Sequence, residues 1–356
     1  MALRLRKARG AISNRTGRFE AFAVEAVDDG WGIADEPLPP LQTTVQPEPT
    51  HSVITKNNSP DIPFDQSINP YRGCEHGCSY CYARPSHAYL NLSPGLDFET
   101  KLFYKKDAAL RLREELNRRG YRASPINLGA NTDPYQPIER RLGITRSLLE
   151  VLAESHHPVT IVTKGALVVR DIDVLARLAA ERLVKVFVSV TTLDDELKRR
   201  MEPRAASPKA RLAAISKLAA AGIPTGVMFA PVVPAINDHE LEGVLDAAAA
   251  AGAKTAGYVL LRLPAEVKDL FYEWLETHYP DRSRRVRSRI HELRGGRDND
   301  PRFGHRMRGQ GPWAELLHRR FEASCRRNGL EKGRAAPLTT ELFRPPNRSP
   351  DQMDLW

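Results

Sequence analysis

The chain alternates between two apolar spacings. Short apolar runs rich in β-branched residues occur at 125–129, 159–163, 184–190, 224–233 and 255–263. Between them, at 107–119, 145–155, 171–181, 208–221 and 239–251, apolar residues recur at helical intervals. The first pattern predicts strands and the second amphipathic helices. A further strand is expected from 60–71, ahead of a cysteine-rich loop. Asp171 and Asp238 stand where first-turn or capping acids belong, and Gly222 and Gly252 where a left-handed residue ends a helix. Regular alternation of strand and helix implies parallel βαβ units and an α/β fold. Six strands with crossover helices suit an open doubly wound sheet or a partial barrel, and periodicity does not choose between these.

The pattern lapses at both ends. Residues 1–60 run from basic to an acidic, proline-rich stretch at 28–49 without periodicity, as expected for an extension that is partly disordered. The core is expected over 61–264. Residues 265–356 open with an amphipathic helix at 265–277 and continue through an arginine-rich run at 282–308. A second helix begins at Gly311-Pro312-Trp313 and runs to Arg327, and a proline-rich tail ends with Met353, Leu355 and Trp356. This part is expected to form a mostly helical appendage that packs on the core or covers its mouth.

At 356 residues the chain is long enough for one barrel-sized domain. It holds no apolar run of about 18 residues, so no membrane span is expected. No secretory signal is visible, and few, clustered cysteines suit a reducing cytoplasm. A net charge of +9 permits a polyanionic partner such as nucleic acid, as do ten arginines against three acids in 282–308. The same run suits a solvated face equally well.

Three of the four cysteines, Cys74, Cys78 and Cys81, fall in one Cys-x3-Cys-x2-Cys loop, and Cys325 is remote. A disulfide scaffold does not use an odd cluster. A closed zinc site needs about four protein ligands, and only His76 or His87 is near enough in sequence to add one. Iron–sulfur clusters are held by thiolates, and three on one loop leave an iron of a cubane open to another ligand. Polar residues also follow successive predicted strands. Asn131, Thr132 and Asp133 follow the second, Thr163 and Lys164 the third, and Ser189 ends the fourth. Each alone reads as a turn former or a solvated side chain; together they mark the strand-end face on which such folds build sites.

At these residues the sequence resembles the radical S-adenosylmethionine (SAM) superfamily, with Tyr80 as the aromatic residue before the third cysteine. Within it, residues 67–263 are most similar to the spore photoproduct lyase-like group. The resemblance implies a partial (β/α)6 barrel, a [4Fe-4S] cluster on Cys74, Cys78 and Cys81, and SAM on the open iron. It implies that Asn131, Thr132 and Asp133 contact the SAM amino end and methionine moiety, Thr163 and Lys164 its carboxylate, and Ser189 its ribose. Met228, beside Ala230-Pro231, would line the adenosyl pocket. Glu202-Pro203-Arg204 and Arg262 resemble polar positions in related proteins and receive no role. The implied reaction is reductive cleavage of SAM to a 5′-deoxyadenosyl radical that takes hydrogen from a substrate, with a flavodoxin- or ferredoxin-type electron donor. The group's hydrogen-donating cysteine stands immediately before the second-strand motif; here that place is Ala130, and Cys325, the only spare thiol, is the remaining candidate hydrogen donor, with packing on its helix as the other reading. Substrate readings left open are nucleic acid, or a peptide or small molecule; a non-catalytic iron–sulfur or zinc protein is the remaining alternative.

Overall fold

A computed structural model describes residues 8–20, 41–332 and 337–346. Six parallel strands form its centre: β1 (Gln66–Ile68), β2 (Ile126–Leu128), β3 (Val159–Thr163), β4 (Val184–Ser189), β5 (Thr225–Val232) and β6 (Thr255–Leu260). Each pairs in parallel with the next in sequence. A doubly wound sheet reverses strand order at a switch point; this one never does, and the order is that of a barrel. The two edges are capped differently. Ile54–Lys56 pairs antiparallel with β1, and the two-residue strand Glu331–Lys332 pairs with the start of β6. The result is a partial (β/α)6 barrel with an open seam.

Helices α1 (Ala108–Leu116), α2 (Ile144–Glu154), α3 (Ile172–Ala180), α4 (Pro208–Ala220) and α5 (Leu241–Ala250) connect the strands. Alternation along the strands separates the two faces. On β4, Val184, Val186 and Val188 are wholly buried in the main apolar core with Leu175 and Ile215 of the helices. The opposite row, Lys185 and Phe187 on β4 with Met228 and Ala230 on β5, is only half-buried. Glycines on the next strand make room for the larger of these. A Cβ at Gly226 would meet the Phe187 ring at 2.6 Å, and one at Gly257 the Met228 sulfur at 2.7 Å.

Helix ends follow the expected chemistry in part. Gly222 and Gly252 have φ of 75° and 101° and follow the C-cap residues Ala221 and Ala251 of α4 and α5. Asp238 opens a short turn, Asp238–Glu240, ahead of α5. Asp171 sits at the α3 N-cap position but makes no capping bond. Its buried carboxylate instead accepts from Tyr135 at 3.0 Å and from Arg146 and Arg170, because two guanidinium groups outcompete a backbone N–H. Strand β6 ends three residues early. Leu260 N–H is taken by the Met307 carbonyl and Leu263 N–H by Asn299, so the chain leaves the sheet.

The C-terminal region is mostly helical, with α6 (Val267–His278), α7 (Pro280–Leu293) and α8 (Pro312–Arg327). The arginine-rich run thus begins as a helix. Helix α8 lies along α5, where Arg320 forms a two-pronged pair with Glu242 at 2.7–2.8 Å. The N-terminal extension, expected to lack structure in part, is ordered where described. Thr44–Pro47 pairs with Lys101–Tyr104, and Ala11 and Ile12 are buried. Met353, Leu355 and Trp356 lie outside the described residues.

Candidate active site at the strand C-termini

The cysteine loop follows β1 through a two-residue strand, Tyr71–Arg72, and is held from below by one arginine. Arg84 is wholly buried and donates to the carbonyls of Cys78 (2.9 Å), Pro94 (3.1 Å) and Gly95 (2.8 Å) and to the Glu99 carboxylate (2.5 Å). Glu99 also accepts from the N–H groups of Gly10 and Ala11, at 3.1 and 2.8 Å. Gly77, at φ 64°, turns the loop where a Cβ would lie 2.7 Å from Glu99 Oε2. The N-terminal strap passes so closely that a Cβ on Gly10 would fall 1.6 Å from the Gly77 carbonyl oxygen.

Cys74 and Cys78 are buried and Cys81 half-buried. Burial is the main cause raising all three thiol pKa values, that of Cys78 to about 12; Cys74 and Cys78 also feel neighbouring thiols, whereas Arg84 and Lys164 pull Cys81 back down. Three such groups become thiolates together only when a cation binds them.

Beside the loop lies a buried ionic hub that sequence reasoning missed. The Glu202 carboxylate accepts from the Tyr80 hydroxyl, from Thr191 Oγ1 at 2.6 Å and from the wholly buried Arg211. Arg211 also donates to the Ser189 carbonyl at 2.9 Å, tying the end of β4 to the cysteine loop. Burial alone would raise the Glu202 pKa; Arg211, Lys164 and its hydroxyl partners reverse this and hold it at about 2. The sequence signal was the likeness of Glu202-Pro203-Arg204 to polar positions in related proteins, which gave the glutamate no role. Lys164 Nζ stands 5.8 Å from the Tyr80 ring centre. Burial opposes its charge, but Cys78 and Glu202 outweigh that and raise its pKa.

A second junction centres on Asp133. Its carboxylate accepts from Thr163 Oγ1 (2.6 Å), Lys164 N–H (2.7 Å) and Tyr135 N–H (2.9 Å), with His76 Nδ1 at 3.3 Å. Burial works against ionisation there, yet His76 and these donors depress its pKa.

Residues 68–248 match the Radical SAM superfamily model. The chain belongs to the radical SAM superfamily. Uncharacterized proteins of Mycobacterium tuberculosis and Mycobacterium bovis are 40% identical to it over 245 residues, covering 67% of this chain and 72% of theirs. One from Methanocaldococcus jannaschii is 27% identical over 173 residues, 49% of this chain and 62% of its own. Among solved structures, spore photoproduct lyase superposes with a TM-score of 0.58 at 17% identity, over 81% of this chain and 80% of that one. Another such structure holds AdoMet and dinucleoside spore photoproduct. At that identity the likeness is one of fold. Superfamily membership makes this chain a radical SAM enzyme, and the cofactors of that class are a [4Fe-4S] cluster and SAM.

The residues present fit such a cluster. Among the described residues, no three His, Cys, Asp or Glu side chains converge on one ion position. His76 faces Asp133, and His87 Nε2 faces the Lys101 carbonyl at 2.9 Å. Single-ion zinc coordination needs all its ligands on one centre. A cubane instead takes each thiolate on a different iron.

The loop, Tyr80, Lys164 and the ends of β2 to β5 are brought together at one face. Not every expected contact residue offers a free group. Thr132 Oγ1 donates to the Tyr71 carbonyl at 2.8 Å, and Thr163 Oγ1 to Asp133. The backbone N–H of Asn131 donates to Asn69 at 2.9 Å. Ser189 is paired in register with Met228 across β4 and β5. Cys325 is not among them: it is buried in the main core on α8, five residues before Leu330, whose N–H it accepts at 2.9 Å. The strand after it meets the start of β6, the opposite end of the barrel from the loop. Two surface clefts of about 360 and 610 Å³ lie elsewhere and contain no cysteine-loop residue.

Proposed function

We propose that Cys74, Cys78 and Cys81 hold the [4Fe-4S] cluster and that the half-buried strand row beside them receives SAM. When bound, the cluster with SAM supplies one-electron cleavage chemistry that yields a hydrogen-abstracting 5′-deoxyadenosyl radical. The chain's own residues position and shield. Lys164 presents a retained positive charge to the SAM carboxylate, and Tyr80 and Glu202 keep that ammonium beside the loop. Asp133 acts by fixing the Thr163–Lys164 backbone, and Thr132 by fixing the end of β2. Asn131 lies next to the SAM amino end, Ser189 beside the ribose, and Met228, lying flat over Gly257, walls the adenosyl group. A flavodoxin- or ferredoxin-type protein would supply the electron, and a reducing cytoplasm is the expected setting.

The observation that carries this reading is the set of three free thiols on one loop after β1, two buried and one half-buried, with Lys164 and the strand C-termini beside them. The test is anaerobic reconstitution with iron and sulfide, followed by EPR of the dithionite-reduced protein with and without SAM. Wild type should give a [4Fe-4S] signal that SAM perturbs, and should form 5′-deoxyadenosine. Cys74→Ala, Cys78→Ala and Cys81→Ala should each lose both. A wild-type cluster indifferent to SAM would sink the proposal.

A further inference from the structure

We infer that Arg262, just past the end of β6, is the core of a second ligand site at the same face, one that takes a phosphoryl oxyanion of the substrate. The inference rests on the radical SAM reading of the neighbouring loop.

Among the described residues Arg262 forms no salt bridge, and Asp61, the acid whose charge it feels, is already paired with Arg306. The Arg262 Nε is buried without a hydrogen-bond partner. Among the described residues its one recorded polar contact is Nη1 to the Met307 sulfur at 3.9 Å, a weak acceptor. Its surroundings are cationic as well. Arg306 lies close enough to depress the Arg262 pKa, after burial itself, and Arg262 in turn helps burial lower Arg294 to about 10. Arg306 is matched by Asp61 at 2.5 Å. Arg294 is not matched by a carboxylate; it donates to the carbonyls of Leu261, His305 and Arg306 at 2.5–3.0 Å. Three guanidinium groups therefore share two nearby carboxylates, Asp61 and Asp300, each already paired with an arginine, Arg306 or Arg302. Holding a guanidinium half-buried without an anion is unfavourable, and the usual remedy is a bound oxyanion that accepts its N–H groups in pairs.

The position is suited to a substrate. Arg262 lies 5.3 Å from the ring centre of Tyr82, the residue after Cys81. The Tyr82 hydroxyl reaches across to the Ala130 carbonyl at the end of β2, and the ring remains 45% exposed. The cation is thus one aromatic ring away from the cluster loop. Lys164, by contrast, sits with Tyr80, Cys78 and Glu202, so two separate cations serve the same face. Phe303 is 55% exposed, with Arg306 stacked 4.7 Å from its centre. Exposed aromatic faces next to guanidinium groups favour a nucleotide, which brings a phosphate and a planar base together, over a simple carboxylate. The phosphate can come from a mononucleotide or a nucleic-acid backbone, and the chemistry at Arg262 is the same.

The test uses reconstituted holoenzyme under anaerobic conditions. Binding of a short fluorescein-labelled single-stranded oligonucleotide is followed by anisotropy, with dAMP, inorganic phosphate and malonate as competitors. Arg262→Ala should weaken oligonucleotide and dAMP binding by roughly tenfold or more, and Arg262→Lys by less, because one point charge replaces a fork. The SAM-induced change in the cluster EPR signal should appear at unchanged SAM concentration in both variants. Arg284→Ala/Arg285→Ala, on the outer part of α7, should bind dAMP as wild type does. Stronger competition by dAMP than by the same oligonucleotide unlabelled would identify a mononucleotide source, and the reverse a backbone. The proposal is overturned if Arg262→Lys and Arg262→Ala both bind phosphate as wild type does. It is equally overturned if malonate competes as well as phosphate, or if the variants lose SAM affinity instead. A wild-type cluster indifferent to SAM, with phosphate binding still dependent on Arg262, would defeat the radical reading and leave this site standing.

Discussion

Glu202 shows how much one buried carboxylate can organise. It joins Tyr80 of the cysteine loop, Thr191 after β4 and Arg211 of α4. Replacing it with glutamine removes the charge but keeps the shape, leaving Arg211 buried and unmatched. Breaking a buried pair in this way costs about 3–5 kcal/mol, so Glu202→Gln should shift the urea midpoint down strongly. The pH dependence has a definite sign. The folded pKa, about 2, lies below that of an unfolded glutamate. The carboxylate therefore stabilises the fold above the ordinary carboxylate range, and that stability is lost as pH falls toward the folded value. Melting temperatures of wild type and Glu202→Gln should differ most at neutral pH and converge as pH falls toward 2; a constant gap would contradict the assignment. Sequence reasoning singled out Glu202 but gave it no role, because nothing local marks the purpose of a glutamate whose partners lie 9, 11 and 122 residues away.

At the scale of elements, the N-terminal strap behaves as part of the site. Gly10 lies against the Gly77 carbonyl, and Glu99 ties the strap to Arg84 beneath the cysteine loop. Gly10→Ala places a methyl group where backbone oxygen already is, and overpacking of this kind costs about 1–3 kcal/mol. Faster amide exchange at 74–81, with little change in α3 or α4, is the expected result by hydrogen-exchange mass spectrometry. The strap's role was not legible because its segment has no periodicity; its order comes from acceptors far along the chain, Asp97, Glu99, Glu266 and Glu273. The helices and strands of the barrel were legible. Strand β3 matches the predicted span, and α4 and α8 end within a residue of it, because apolar spacing reports which face meets the core.

Across the whole molecule, the barrel's two ends have different tasks. The cysteine loop, Lys164, Arg211 and Arg262 gather at one end, as active sites do on barrels of this kind. Cys325 lies toward the other, on a helix that covers α5. Cys325→Ala should leave 5′-deoxyadenosine formation intact and lower stability by about 1 kcal/mol, the effect of a small cavity. Loss of product with the fold intact would return that thiol to the chemistry. Truncation before residue 312 removes Leu317, Phe321 and Leu330 from the main core. It should yield a protein that aggregates or melts well below wild type, measurable by light scattering during thermal unfolding. The sequence alone determined the α/β class and the element order and singled out Cys74, Cys78 and Cys81 as a candidate ligand set, since periodicity and short ligand spacings are local properties. Only the tertiary structure decided that the strand order never reverses, that Thr132 and Thr163 bond inward, that Glu202 is a hub and that Arg262 Nε is buried without a partner among the described residues. These depend on which distant groups share a buried space, and burial is what turns a common side chain into an obligatory partner.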